Sequence, residues 1–333
     1  MKNKMRFVSF HTHTTYSYGD GFGTVHEHVQ RVADLGMTAL AVSEHGNVNS
    51  HVALERECRN AGIKPIFGLE AYFAPPEERR KFHITLFAMN EEGYRNLNKI
   101  VTQSYIDAYQ YPTVTQENLK KNSRGIVAFS GCSDSLIACT LLGGKSLGDK
   151  RDAYSDDDYR RTRRKVEQFA ELFDGRFYLE VQRFPALPRT CVLNPAFALI
   201  SEETGVPLIG TADVHYPFGN QNTMQKVLHA ARRSGSVAVN EQEWEYNILL
   251  TYPANDQQII NNLVGTGLTE YQAYCAVDNT RILAEECNVE LPKAKPLRFP
   301  TKTSAKESMQ HAIKVGLKKK MATRPDIQEN LSA

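Results

Sequence analysis

In the stretch RFVSFHTHTTYSYGDG, residues 6–21, an apolar run ends in two histidines one residue apart, His11 and His13. An aspartate, Asp20, follows seven residues later. The run RFVSF (6–10) is predicted as the first strand. Side chains i and i+2 of a strand leave from one face, so His11 and His13 can grip a single ion. The same spacing recurs at His26 and His28 in TVHEHVQ, inside a predicted helix that follows Thr24. On a helix, residues two apart diverge by roughly 200°. That second pair is therefore read as structural or exposed.

Outward from this stretch, short apolar runs alternate with amphipathic segments. Strands are predicted at 6–10, 38–43, 64–74, 83–89, 125–131, 176–182 and 206–211, and helices at 24–35, 50–61, 91–107, 158–173, 190–204 and 219–233. Glycine or proline punctuates many of the joins, as in LGM, AGIKP and TGVPL. Strands alternating with helices predict parallel βα units. So many of them in succession predict an α/β fold closed as a distorted (β/α)7 barrel, with a C-terminal helical and extended extension. The expected organisation is a barrel over 1–235, a strand–helix extension packed on it over 236–290, and an extended tail with a basic helix over 291–333. ILLTY, within 248–252, is the strand expected in that extension.

Composition sets wide bounds. The chain has 333 residues, 41% hydrophobic and 23% charged, with a net charge of +2. This is the mix of a soluble globular protein, and no apolar run approaches the roughly 18–20 residues that span a bilayer. The N-terminus lacks the apolar core of a signal peptide. The six cysteines are scattered without a C-x-x-C pair, which favours a reducing cytoplasm over a disulfide framework. Basic clusters at 159–165, 229–234 and 314–324 read first as solvated helix faces.

Chemistry gathers where strands end. ALAVSEHGN ends in His45, PIFGLEAYF carries Glu70, KFHITLF opens with His83, IVAFSGCSD carries Cys132, and LIGTADVHY ends in Asp213 and His215. In parallel βα folds the loops beyond the strands' carboxyl ends hold the active site. Imidazoles, carboxylates and one thiolate suit zinc, manganese or iron and are poor for calcium. With His11, His13 and Asp20 the set is too large for one tetrahedral ion, so two or three ions are expected. Clustered ions of this kind are equipment for in-line attack on phosphorus.

FHTHTTYSYGDG, SEHGN, AGIKPIFGLEAY, HITLFAMNEEGYRNLNKIV, GIVAFSGC and TADVHY together resemble the polymerase-and-histidinol-phosphatase (PHP) domain. The likeness is in particular to the PHP domains at the N-terminus of bacterial replicative DNA polymerase III alpha subunits. It runs in order from residue 6 to about 320, and RILAEECNVEL and RFP resemble the segment just C-terminal to the domain in those polymerases. The resemblance implies a distorted seven-stranded barrel holding three divalent metal ions. Their ligands map onto His11, His13, Asp20, His45, Glu70, His83, Cys132, Asp213 and His215, with none missing. There are departures: Glu44 stands where aspartate is usual, SGCSDS differs beyond its cysteine, and QRFPALPRT is unusual after its strand. These leave the metals standing and put substrate preference in question.

The function expected is a metal-dependent 3′–5′ exonuclease acting on single-stranded or frayed DNA, working alongside a polymerase. No polymerase-type aspartate triplet is present, so the chain as given is not expected to polymerise DNA. Two ions are assigned mainly to His11, His13, Glu70, Cys132 and Asp213, and a third to Asp20, His45, His83 and His215. Arg183 is a candidate phosphate clamp, and Tyr16 and Tyr18 are candidates to stack on a terminal base. The alternatives are a phosphomonoesterase of the histidinol-phosphatase type and a non-catalytic module docked on a polymerase.

Overall fold

A computed structural model describes residues 4–76, 80–108, 110–143, 153–232, 248–293 and 303–324. Its centre is a seven-stranded sheet. The strands are β1 (Ala39–Val42), β2 (Lys64–Ala74), β3 (Phe82–Ala88), β4 (Val114–Thr115), β5 (Ile126–Phe129), β6 (Phe177–Gln182) and β7 (Leu208–Thr211). They lie in the order β1-β2-β3-β5-β6-β7, with the short β4 paired to the end of β2.

Residues 8–13 close this sheet. On one side the amides of Ala41 and Ser43 donate to the carbonyls of Ser9 and Thr12, both at 2.9 Å. On the other, His13 N donates to Val214 O at 2.7 Å and Val214 N to His11 O at 2.9 Å. The first stave of the expected barrel is thus in place, but it is bent at His11 and joined by isolated bridges, not by a regular ladder. The result is a distorted (β/α)7 barrel. One expectation fails in direction: β3 runs antiparallel to both β2 and β5. The other neighbouring pairs, β1–β2, β2–β4, β5–β6 and β6–β7, are parallel.

Helix α1 (Val25–Leu35) precedes β1, and α2 (His51–Ala61), α3 (Glu91–Ile106), α4 (Gln116–Asn122), α5 (Leu136–Leu142), α6 (Asp156–Leu172) and α7 (Pro188–Thr204) lie between the strands in sequence. Then come α8 (Asn222–Arg232), α9 (Asp256–Gly265) and α10 (Glu270–Glu286). The sequence did not announce β4, α4 or α5, which are too short to show a period. The strand expected at 248–252 is irregular; Leu250 O accepts from His215 N at 2.8 Å. Residues up to Leu291 form one compact unit, with α10 against β7, where Asn279 Nδ2 donates to Leu208 O at 2.7 Å. Residues from Pro292 form a second unit, described here by its helix α11 (Ala305–Thr323). Among the described residues no helix is long and apolar enough to cross a membrane.

Alternation along the strands sorts the core into two. Leu40, Val42, Phe67, Leu69, Leu86, Ala128, Leu179 and Val181 belong to the large cluster shared with the helices. Ala39, Ala41, Ile66, Phe87, Val127, Phe129 and Ile209 face inward, with Val8 and Phe10, and α10 supplies Leu283 and Ala284 to the same plug, followed by Cys287 just past its end. Phe10, Phe87 and Phe129 meet with ring centroids 4.8–5.5 Å apart. Such aromatic pairs are worth about 0.5–1.5 kcal/mol each beyond the area they bury. Gly68 makes room for the plug, because a Cβ there would sit 2.4 Å from the Phe87 ring.

Two histidines away from the barrel mouth are held neutral. His28 Nε2 donates to Phe22 O at 3.0 Å and Nδ1 accepts from the Tyr252 hydroxyl at 2.8 Å. His51 Nε2 donates to Gly68 O at 2.9 Å, while its buried Nδ1 has no partner among the described residues. Burial lowers both to about 4. A depressed histidine stabilises the fold fully above its unfolded value of about 6.5, and that stability is lost as the pH falls toward 4. Urea unfolding of the metal-free chain at a series of pH values checks this. The stability gap between the parent and the double variant H28Q/H51Q, on the order of a few kcal/mol at pH 7, narrows on acidification; a gap independent of pH contradicts it.

Candidate metal centre

Above the aromatic plug the inward-facing positions change character while the alternation continues. Ile66 is followed at two-residue steps by Gly68 and Glu70, and Ala41 by Ser43 and His45. Ile209 is followed by Thr211 and Asp213, and Tyr178 by Glu180 and Gln182. On the antiparallel β3 the sequence runs the other way, from Phe87 back through Thr85 to His83. This explains why His83 opens its strand whereas the other candidates close theirs.

Two staves reach the mouth through irregular backbone. The bend at His11 lets that imidazole join an interior already occupied by Phe10. After β5, Gly131 adopts φ +88°, and a Cβ there would lie 2.7 Å from His83 O, so only glycine turns the chain to present Cys132. Asp213 itself sits at φ +43°, a strained conformation for a side chain with a Cβ.

The sequence candidates converge. Glu70 lies at the centre, with Oε1 at 3.2 Å from His11 Nε2 and 3.1 Å from His83 Nδ1. Its Oε2 is 3.4 Å from His13 Nε2 and 2.7 Å from His45 Nδ1. Asp213 Oδ1 is 3.3 Å from His11 Nε2 and 3.8 Å from His13 Nε2. Cys132 Sγ lies 3.4 Å from His83 Nδ1. Asp20 Oδ2 is 2.9 Å from His45 Nε2 and 3.6 Å from His215 Nε2. His83 therefore groups with Glu70 and Cys132, not with Asp20 and His215 as the sequence-level partition had it. The control pair diverges: His26 is exposed against Glu57 at 2.9 Å, and His28 is buried against Tyr252.

Supporting residues fix which nitrogen faces inward. His11 Nδ1 donates to Glu180 Oε1 at 2.7 Å, and that carboxylate also accepts from the Thr211 hydroxyl at 2.7 Å. The Ser17 hydroxyl donates to Glu44 at 2.6 Å, so its oxygen accepts from His13 Nδ1 at 2.9 Å. Both histidines thereby turn Nε2 toward Glu70 and Asp213. His11 Nε2, His13 Nε2, His45 Nδ1, both Glu70 oxygens and Asp213 Oδ1 are buried with no hydrogen-bond partner among the described residues. Donor atoms this close, unsatisfied by one another, fit divalent cations between them.

The electrostatics point the same way. Burial works to raise the Glu70 carboxyl, but His83, His11 and His45 hold it well below the carboxylate range. Burial lowers His11 while Asp213, Glu180 and Glu70 outweigh it, so a proton there stands where a cation would. His13 is lowered by burial and by His45 and His215. Burial, then Glu70 and Asp213, push the Cys132 thiol well up, so a thiolate at this position needs a cation beside it. Among the described residues, three overlapping groups have the spacing of metal ligands: His11–His13–Glu70, His45–Glu70–His83 and His13–His45–His215.

Other sequence candidates stand apart. Arg183 is buried and donates through Nη2 to the carbonyls of Leu249 at 3.2 Å and Thr251 at 2.6 Å, which makes it a clasp for that segment. Tyr16 and Tyr18, in the first loop, are 42% and 88% exposed. The sequence reading missed Glu180 and His229. A glutamate inside the apolar run FYLEV, at an inward position, was a signal for Glu180. His229 reaches Asp20 Oδ1 at 2.5 Å from α8, and no spacing in the sequence foretold it.

Residues 9–184 match the PHP domain. That span is just over half the chain, and the chain belongs to the PHP domain family. Asp213 and His215 lie beyond the matched span, and the fold itself brings them to the mouth. The chain is 28% identical over 325 residues to DNA polymerase III subunit alpha of Helicobacter pylori, covering 95% of this chain and 26% of that protein. It is 30% identical over 311 residues to DNA polymerase III subunit alpha of Deinococcus radiodurans, covering 88% and 22%. It thus spans about a quarter of the length of such relatives. A solved structure from Bifidobacterium adolescentis, titled provisionally as a metal-dependent phosphoesterase, aligns with TM-score 0.38 at 14% identity, over 62% of this chain and 87% of that one.

Because Glu180 sets the tautomer of His11, Glu180→Gln is expected to weaken metal binding about 10–100-fold. Calorimetric titration of chelator-stripped protein with Mn2+ or Zn2+ measures it, with His26→Ala as the unchanged control. Equal affinities in E180Q and the parent contradict the assignment.

Proposed function

We propose that this chain is a metal-dependent phosphodiesterase, acting as a 3′–5′ exonuclease on single-stranded or frayed DNA. The observation that carries the proposal is the set of buried, unpartnered Nε2, Nδ1 and carboxylate atoms around Glu70. The DNA polymerase III alpha subunits among its relatives support DNA as the substrate class and a replication assembly as the setting. His11, His13, Glu70 and Asp213 would hold one part of a set of three divalent ions (zinc, manganese or iron). Glu70, His83 and Cys132 would hold a second part, and Asp20, His45 and His215 a third. Ions bound there supply positive charge that polarises phosphoryl oxygens and makes water acidic enough to attack at neutral pH.

The protein's own groups do the rest. Glu180 and the Ser17–Glu44 pair orient His11 and His13, so no rotation is needed when substrate arrives. Tyr16 and Tyr18, exposed in the first loop between His13 and Asp20, would offer ring faces to a terminal base. The aromatic plug fills the interior below the polar positions, so on this reading a phosphate enters from the mouth. The organisation proposed is the catalytic barrel over 1–235, the extension over 236–290 packed on it, and the tail over 291–333. Part of the extension and much of the tail lie outside the described residues.

The test is incubation with Mn2+ and oligonucleotides labelled at either end. The expected result is stepwise 3′ shortening that is abolished in His13→Ala and Asp213→Ala and retained in His26→Ala. Turnover of a chromogenic phosphomonoester without attack on DNA would instead establish a monoesterase. Metal-loaded protein inactive on both substrates would defeat the catalytic reading.

A further inference from the structure

Helix α8 docks the wrong way round for a helix held by apolar burial. Its buried residues are Gln225, His229 and Ala230, while Met224 and Val227 are 43% and 48% exposed. Gln225 and His229 are spaced i, i+4 and so share a face, and both reach one atom. His229 Nε2 lies 2.5 Å from Asp20 Oδ1, and Gln225 Nε2 lies 3.4 Å from the same oxygen. Burying two polar side chains is costly unless something specific receives them. Here the receiver is a carboxylate whose other oxygen already faces His45 and His215.

We propose that His229, backed by Gln225, is a positioning residue of the metal centre: it holds Asp20 Oδ1 so that Oδ2 stays aimed between His45 and His215. The basic cluster that begins at residue 229 in the sequence thus turns inward at its first member. Asp20 comes from the first loop and has no ladder to fix it. Its backbone amide donates to Ser17 O at 3.1 Å, and its side chain is steered by histidines and Gln225 alone among the described residues. A donor on Oδ1 therefore decides which way the carboxylate faces. The helix that carries this donor follows β7 directly after Asp213 and His215, so the last stave and α8 act on the same part of the centre. The inference rests on the reading of the barrel mouth as a metal centre and adds to it a residue outside the sequence-derived ligand set.

The experiment uses the full chain stripped with chelator and titrated with Co2+ and, separately, Mn2+. Stoichiometry is read by plasma mass spectrometry, affinity by calorimetry, and ligand field by the cobalt absorption spectrum. Melting of the metal-free protein is followed in parallel. His229→Leu is expected to lose one ion, or to weaken one binding step about 10–100-fold, with an altered cobalt spectrum. His229→Gln, whose amide can still donate to Oδ1, is expected to recover most of that loss. Asp20→Asn should resemble His229→Leu in stoichiometry. Parent-like binding by His229→Leu overturns the proposal and leaves the metal centre standing. Equal loss in the Leu and Gln variants also overturns it, because donation to Asp20 would then not be the role. A parent that takes up no divalent ion overturns the metal centre itself, and the positioning role with it.

Discussion

Everything at the mouth is arranged around one buried carboxylate. Glu70 is almost fully removed from solvent and has His11, His13, His45 and His83 within 3.4 Å of its oxygens. A carboxylate in that position is tolerable only if positive charge surrounds it. The fold can provide that as protons on imidazoles or as metal cations. The two states differ in what the histidines can do. Protonated imidazoles form ordinary ion pairs with Glu70 and Asp213. Neutral ones, with Nδ1 already committed to Glu180 or Ser17, present lone pairs to anionic oxygens, an arrangement that is repulsive without a cation between them. Glu180 and Glu44 thus do more than hold rings in place, since they choose the tautomer suited to metal.

That carboxylate can be buried because the barrel beneath it is sealed. Phe10, Phe87 and Phe129 fill the lower interior, with Leu283 and Ala284 of α10 and Cys287 at its end. Four of these staves supply a ligand four residues from a plug residue (Ile66 and Glu70, Ala41 and His45, Ile209 and Asp213, Phe87 and His83), so much of the centre's geometry is set by the sheet register. Glu70 pairs with Thr85 and Tyr72 with His83 across the β2–β3 ladder. A one-residue slip would send Glu70 to the helix-covered face and Leu69 into the mouth. Where the register alone does not suffice, the chain bends: at His11, at Gly131, and at Asp213 with its positive φ. Strain is thereby concentrated at the rim, next to the chemistry.

Much of this was legible in the sequence because both layers follow a period of two. The apolar runs marked the staves, and the donors marked one end of each. The contrast between His11-x-His13 and His26-x-His28 was also readable, since Thr24 and Glu27 form a capping box that commits the second pair to α1. What stayed hidden depends on pairing between distant segments. Nothing local says that β3 runs antiparallel, although His83 opening its strand was a clue that only the register explains. Glu180 could be noticed but not paired with His11, which lies 169 residues away. Arg183 looked like a phosphate clamp because its carbonyl partners near 250 cannot be seen from residue 183.

The burial gradient across the cluster bears on substrate geometry. His11, His13 and Glu70 are closed off, whereas Asp20, His45, His83 and Asp213 keep some side-chain exposure. On the proposed reading, substrate approaches along that second group. A phosphate in the middle of a stacked duplex is flanked on both sides by bulk that a barrel mouth resists. A phosphate at a frayed 3′ end has one flank open and a terminal base able to turn toward Tyr16 and Tyr18. A small phosphomonoester would enter as easily, but on the proposed reading it would make no use of the exposed Tyr16 and Tyr18. On the proposed reading, then, the depth of Glu70 and the exposure of Tyr18 belong together: one sets how far a phosphate must descend, and the other gives the base attached to it somewhere to rest.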